Sequence, residues 1–196
     1  MLAFGIQTTI ENAILIRVDS ANSKDLMQIE IVNGNVVMVY NLGTENHVIG
    51  EMNVKVNDDI YHVVRFTRSE QNSTMQIDNH NKINLMPSGR QLKVFNNQSK
   101  VQIGGKKDNI YIDDASIDKP FNGIISGLVF NGLHLLDLAA EHDSRIGIEG
   151  DVELVLLMVK NVSKSLENEN TTKMNFDDLQ MQEASDFKSL NEELYI

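Results

Sequence analysis

Asn33-Gly34 stands between two strand-like apolar runs, Leu26 to Ile31 and Val36 to Tyr40, and a second Asn-Gly turn follows at Asn131-Gly132. Asn-Gly accepts positive φ at both central turn positions, which is what a two-residue hairpin with right-handed strand twist requires. Leu26 to Ile31 alternates, so one of its faces is apolar, and Val36 to Tyr40 returns as a continuous apolar run. Further strand-like runs are Ala13-Ile14-Leu15-Ile16-Arg17-Val18, Tyr61 to Thr67, Ser73 to Asp78, Ile83 to Leu85 and Lys100 to Ile103. In Ser73 to Asp78, Met75 and Ile77 are expected to point inward and Thr74 and Gln76 outward. Phe121 to Phe130 reads as a strand returning through Leu133 to Leu136, Asp137 to His142 as one helical turn, and Asp151 to Val155 as a closing strand. Short strands with turn signals every eight to twelve residues predict an all-β antiparallel sandwich or barrel.

The chain has 196 residues and no cysteine, so its core must hold without disulfides and no thiolate metal site is available. A net charge of −11 with no basic stretch argues against phosphate-led nucleic-acid binding. No run approaches the length of a membrane span, and Met1 to Ile6 reads as strand interior, not as a secretory leader. From Leu156 onward acids outnumber lysines and Asn, Ser and Thr are prominent. Residues 1–155 are therefore read as one domain and 156–196 as an acidic tail, disordered or weakly helical, with Phe176, Leu179, Phe187 and Leu190 at helical spacing.

Arg90-Gln91-Leu92-Lys93-Val94-Phe95-Asn96 places a cation, an apolar ridge and an amide oxygen within seven residues, after the break Met86-Pro87-Ser88-Gly89. By itself this is an ordinary strand end. The inward or outward direction of Phe95 is left open by the pattern. The loop from Lys106 to Lys119, with Asp108, Asp113, Asp114 and Asp118, reads by default as solvated.

Several stretches in order carry a resemblance. They are Ile16-Arg17-Val18-Asp19-Ser20, Tyr40-Asn41-Leu42-Gly43-Thr44, Tyr61-His62-Val63-Val64-Arg65-Phe66-Thr67-Arg68, and Gly89-Arg90-Gln91-Leu92. Val94-Phe95-Asn96, Ile103-Gly104-Gly105-Lys106, Pro120-Phe121-Asn122-Gly123, Ser126-Gly127-Leu128, Asn131-Gly132-Leu133 and Ala139-Ala140-Glu141 complete the set. Over about residues 2 to 155 the chain resembles the laminin G-like (LNS) domains of neurexins, in particular the last of them. The resemblance implies a jelly-roll-like sandwich of two antiparallel sheets. It further implies a non-catalytic, calcium-dependent adhesion module of a presynaptic cell-surface receptor, binding neuroligins, leucine-rich-repeat transmembrane proteins or α-dystroglycan.

Carried over residue by residue, the resemblance implies a calcium ion held by the Asp25 side chain, the carbonyls of Leu42 and Val94, and the Asn96 side chain. One carboxylate and three neutral oxygens suit a weakly held hard cation completed by water. Arg90, Leu92, Lys93, Val94 and Asn96 match the partner-facing strip. Lys93 stands where the family usually has Thr. The passage from Pro87-Ser88-Gly89 into Arg90 resembles the form without the spliced insert. The family domain opens with about two more strands, so the chain is expected to be N-terminally truncated, and the loop of Lys106 to Lys119 is longer than the family's.

Four glycosylation acceptor sequences occur, at Asn72, Asn97, Asn161 and Asn170. Asn72 matches a family site, and Asn97 reads as a chance occurrence. His47, His62, His80, His134 and His142 show no metal-ligand spacing, and no nucleophile or phosphate-loop motif is present, so an enzyme is not expected. The alternative function is a glycan-binding, lectin-like module, for which an aromatic platform would be needed; the chain has no Trp.

Overall fold

The computed structural model describes residues 1–43, 45–88, 95, 97–106, 119–155 and the backbone of 193–195. Alternating sequence becomes strand almost throughout. β1 (Leu2–Gln7), β2 (Ala13–Ser20), β3 (Leu26–Val32), β4 (Asn35–Asn41) and β5 (Asn46–Gly50) are followed by β6 (His62–Ser69), β7 (Asn72–Ile77) and β8 (Ile83–Leu85). β9 (Gln98–Ile103), β10 (Ile124–Phe130), β11 (Leu133–His134), helix α1 (Leu135–Ala140), β12 (Ile146–Gly147) and β13 (Glu193–Tyr195) complete the chain. They form two sheets, in the orders β11-β10-β1-β6-β7-β8 and β12-β13-β9-β2-β3-β4-β5. All pairings are antiparallel except those of β13, which runs parallel to both β9 and β12.

The inner faces supply one core. From the first sheet come Leu2, Phe4, Ile6, Val64, Phe66, Met75, Ile77, Leu128 and Phe130. From the second come Ile16, Val18, Ile29, Ile31, Val36, Met38, Tyr40, Val101 and Ile103. Each set lies at spacing two along its strand, so one sequence pattern generates both layers of an antiparallel sandwich. Met75 and Ile77 point inward as the alternation predicts. Tyr40 is fully buried, yet its hydroxyl is satisfied across the sandwich by Ser73 Oγ at 3.0 Å, and the Arg68 guanidinium sits 5.9 Å from its ring centre. Both Asn-Gly turns have positive φ at both residues, 50° and 79° at Asn33-Gly34 and 48° and 84° at Asn131-Gly132.

Three local expectations are corrected. Asp151 to Val155 is not a strand; the places beside β9 belong to β13 and then β12, and Val152 and Val155 remain exposed. The return from Asn131-Gly132 is only two residues long, because Leu135 and Ala139, four apart, bury one face of α1. Glu193–Tyr195, within the expected disordered or weakly helical tail, is a strand. Met1–Val152 with Glu192–Ile196 forms one compact unit and Glu153–Asn191 another, of which only residues 153–155 lie among those described. The rest of the tail and most of the Lys106 to Lys119 loop lie outside the described residues.

A candidate calcium and partner rim

Sheet order decides which loops meet. β9, β2, β3, β4 and β5 are consecutive neighbours. The chain entering β9, the β2–β3 connection and the β4–β5 connection therefore emerge at the same end of the sheet, side by side. The first is described at Phe95 and Asn97, the second holds Asp25 and the third Leu42, so the topology brings Asp25 and Leu42 to one rim beside Phe95 and Asn97.

Backbone contacts fix the middle segment against its neighbours. Ser20 pairs with Gln98, and the Ala21 amide donates to the Asn97 carbonyl at 2.7 Å. On the other side Leu26 pairs with Asn41. The β2–β3 loop closes on itself: the Ser20 amide donates to the Asp25 carbonyl at 3.0 Å and the Asp25 amide to Ser23 Oγ at 3.1 Å. Asp25 is thus held by its main chain, half-buried, and no described residue bonds or pairs with its carboxylate. Leu42 is fully buried; its side chain anchors the turn, so only its backbone can serve a ligand. Gly43 follows with φ 106°, a conformation that needs glycine, and Asn41 Nδ2 donates to Asn46 Oδ1 at 3.1 Å across the base of the turn. Sequence reading missed this Asn41–Asn46 brace and the role of the Asn97 carbonyl, since neither has a motif.

Val94 and Asn96, and with them Arg90, Leu92 and Lys93 of the expected partner strip, lie outside the described residues. Phe95 is described and belongs to the core, 9% exposed, which settles the direction that alternation left open. Its carbonyl accepts a bond from Gln98 Nε2 at 3.3 Å. Among the described residues no group of three or more His, Asp and Glu could hold a metal ion. The expected donor set, one carboxylate with neutral oxygens, is of the kind that calcium takes, and of its members Asp25 and Leu42 are described.

A second polar centre lies in the other sheet. His62, which opens β6, is 10% exposed and held between two carboxylates, Nδ1 2.8 Å from Asp78 Oδ2 and Nε2 3.0 Å from Asp58 Oδ1. Asp78 Oδ1 also accepts the Val63 amide at 2.7 Å. Burial alone would lower the His62 pKa; the hydrogen bonds to Asp78 and Asp58 outweigh it, and the pKa is raised above 6.5. The Asp58 carboxyl is lowered by the Ile60 amide and by His62. Asn72, the expected glycan acceptor, is exposed in the β6–β7 turn, where it pairs with Ser69.

A sequence model described as the laminin G domain matches residues 6–133. The chain belongs to the laminin G domain family. Its relatives include Neurexin 1 of Drosophila melanogaster, 47% identical over 154 residues, and human Neurexin-3-beta, 43% identical over 155. Each alignment covers 79% of the chain but only 8% and 23% of the respective relative, so the chain spans under a quarter of either. Among solved structures, domains LG4-5 of the mouse laminin α1 chain share the fold with a TM-score of 0.57 at 15% identity, covering 67% of this chain and 35% of that one. The two-sheet sandwich and the neurexin likeness expected from the sequence are both present. No helix among the described residues is long and apolar enough to cross a membrane.

Proposed function

We propose that the chain is a calcium-dependent adhesion module of a presynaptic cell-surface receptor, capturing a partner ectodomain such as a neuroligin at the rim of the second sheet. Leucine-rich-repeat transmembrane proteins and α-dystroglycan are further partners of the same kind. The observation that carries this reading is the placing of Asp25, bonded through its loop to Asn97 on one side and paired through Leu26 with Asn41 on the other.

In this reading the Asp25 carboxylate, the Leu42 and Val94 carbonyls and the Asn96 amide oxygen hold the ion. Calcium would neutralise the one carboxylate and lend the rim a positive centre for acidic or carbonyl groups of the partner. With so few charges in the set, affinity belongs near about 10⁻⁴ to 10⁻³ M, as in other extracellular modules. Arg90, Leu92, Lys93, Val94 and Asn96 form the contact strip, in which an apolar ridge with an Arg supplies anchor chemistry inside a polar border. For the lectin alternative, the strip lacks a platform at Phe95, whose ring faces the core.

The test is capture of the purified chain by an immobilised neuroligin ectodomain, in calcium and then in chelator. Saturable capture lost on chelation supports the reading. Capture indifferent to chelator removes calcium from it, and binding to a glycan array without protein partners would replace it with the lectin function.

A further inference from the structure

Asn97-Gln98-Ser99 is an acceptor sequence for N-linked glycan, and in sequence it cannot be told from a chance occurrence. Its position in the fold carries more information. Asn97 is exposed and has φ 53°, at the bend that leads into β9. Asn is among the non-glycine residues that tolerate this left-handed conformation best, and attachment at the side-chain amide leaves the backbone unchanged. The site can therefore carry a glycan without strain. The acceptor is also fixed in place, because its carbonyl receives the Ala21 amide of the loop that ends in Asp25. Ser99, the hydroxyl residue of the sequence, donates to the Asp19 carbonyl at 3.1 Å once β9 has paired with β2, so transfer belongs to the chain before this pairing closes.

We propose that Asn97 is glycosylated and that its glycan screens the rim, gating partner capture. The proposal rests on the rim being the partner surface. A bulky, hydrated group anchored one residue from Asn96 occupies the space a protein partner must enter and desolvate. A calcium ion, small and reached through water, is not excluded by it. Asn72, by contrast, is carried by the β6–β7 turn of the other sheet.

The experiment compares the chain secreted from eukaryotic cells behind a supplied leader with the chain made in bacteria, which lacks the glycan. Peptide masses at Asn97 are read before and after enzymatic deglycosylation, and both forms are titrated with calcium and with the immobilised neuroligin ectodomain. Asn97→Gly removes the acceptor while keeping the left-handed backbone and its carbonyl; Ser99→Ala removes it by a second route. The expected result is a glycan mass at Asn97 and capture about tenfold weaker for the glycosylated form than for the bacterial or Asn97→Gly chain, with calcium affinity unchanged. An unmodified Asn97 in the secreted chain overturns the proposal. A glycan with equal capture overturns the gating. Failure of the bacterial chain to capture the partner removes the adhesion reading and the gating with it, while the peptide mass still decides the modification.

Discussion

Two regions of this sandwich use carboxylates in opposite ways. In the first sheet Asp58 and Asp78 are committed: they hold both ring nitrogens of His62, and Asp78 also takes the Val63 amide. In the second sheet Asp25 is positioned by its main chain, and its carboxylate is left without a described partner. A carboxylate whose lone pairs are occupied by the protein stabilises the fold. One that is positioned and unengaged is available to something outside the chain. The first centre is therefore structural and the second is where a ligand is expected.

The largest expected effect tests the second centre alone. Asp25→Ala removes the only charged donor proposed for the ion, so calcium binding and calcium-dependent capture should be lost. Thermal stability without calcium should stay within about 0.5 kcal/mol, as for a surface change that breaks no contact. Titration calorimetry and a melting curve on the same sample read both. A variant that retains calcium-dependent capture would move the site away from this rim.

Asp78→Ala is the mirror case. It leaves the Val63 amide and one His62 nitrogen without their acceptor. Hydrogen bonds to a charged group are worth about 1.5–3 kcal/mol, and with the Asp78 side chain 31% exposed the expected loss is toward the lower end, about 1–2 kcal/mol. The melting temperature should fall by a few degrees for a chain of this size, with calcium affinity unchanged. If Asp78→Ala weakened calcium binding instead, the separation of the two centres would fail.

Proton linkage sharpens the same contrast. The His62 pKa is raised in the fold, so its stabilisation is complete below 6.5, the unfolded value, and is lost as pH rises through the folded pKa. Asp58, whose pKa is lowered, contributes above 3.8 and loses its part as pH falls through its own folded value. Stability should therefore be greatest between these limits and decline on the alkaline side of 6.5. In His62→Gln the alkaline decline should flatten. An unchanged decline in that variant would assign it to another group.

The strands were legible because an antiparallel sandwich writes its core at period two, and the turns at Asn33-Gly34 and Asn131-Gly132 because only certain residues accept their backbone. β5 was not read: Asn46–Gly50 is short, ends in glycine and keeps Val48 exposed, so its pairing with β4 leaves little pattern. Asp151 to Val155 misled for the converse reason, alternating without a strand edge to join. The rim was legible only through the neurexin resemblance. Half of the expected donors are backbone carbonyls, and any residue has one, so Leu42 and Val94 carry no chemical mark in sequence. Asp25 becomes distinctive only when its carboxylate is compared with those around His62.

The smallest expected effect concerns how rigidly the rim must be held. The Asn41–Asn46 side-chain bond spans the base of the turn that carries Leu42, and it is exposed, so Asn41→Ala should cost less than about 1 kcal/mol of stability. Its effect on the ion is of a different kind. A carbonyl donor has to be aimed by the backbone, and a turn with φ 106° at Gly43 loses part of that constraint when the brace is cut. Calcium affinity should fall by a few-fold, far less than in Asp25→Ala. Equal affinity in wild type and Asn41→Ala would mean that the buried Leu42 side chain alone holds the turn in place. The rim would then be as rigid as the His62 centre, differing from it only in leaving one carboxylate to solvent.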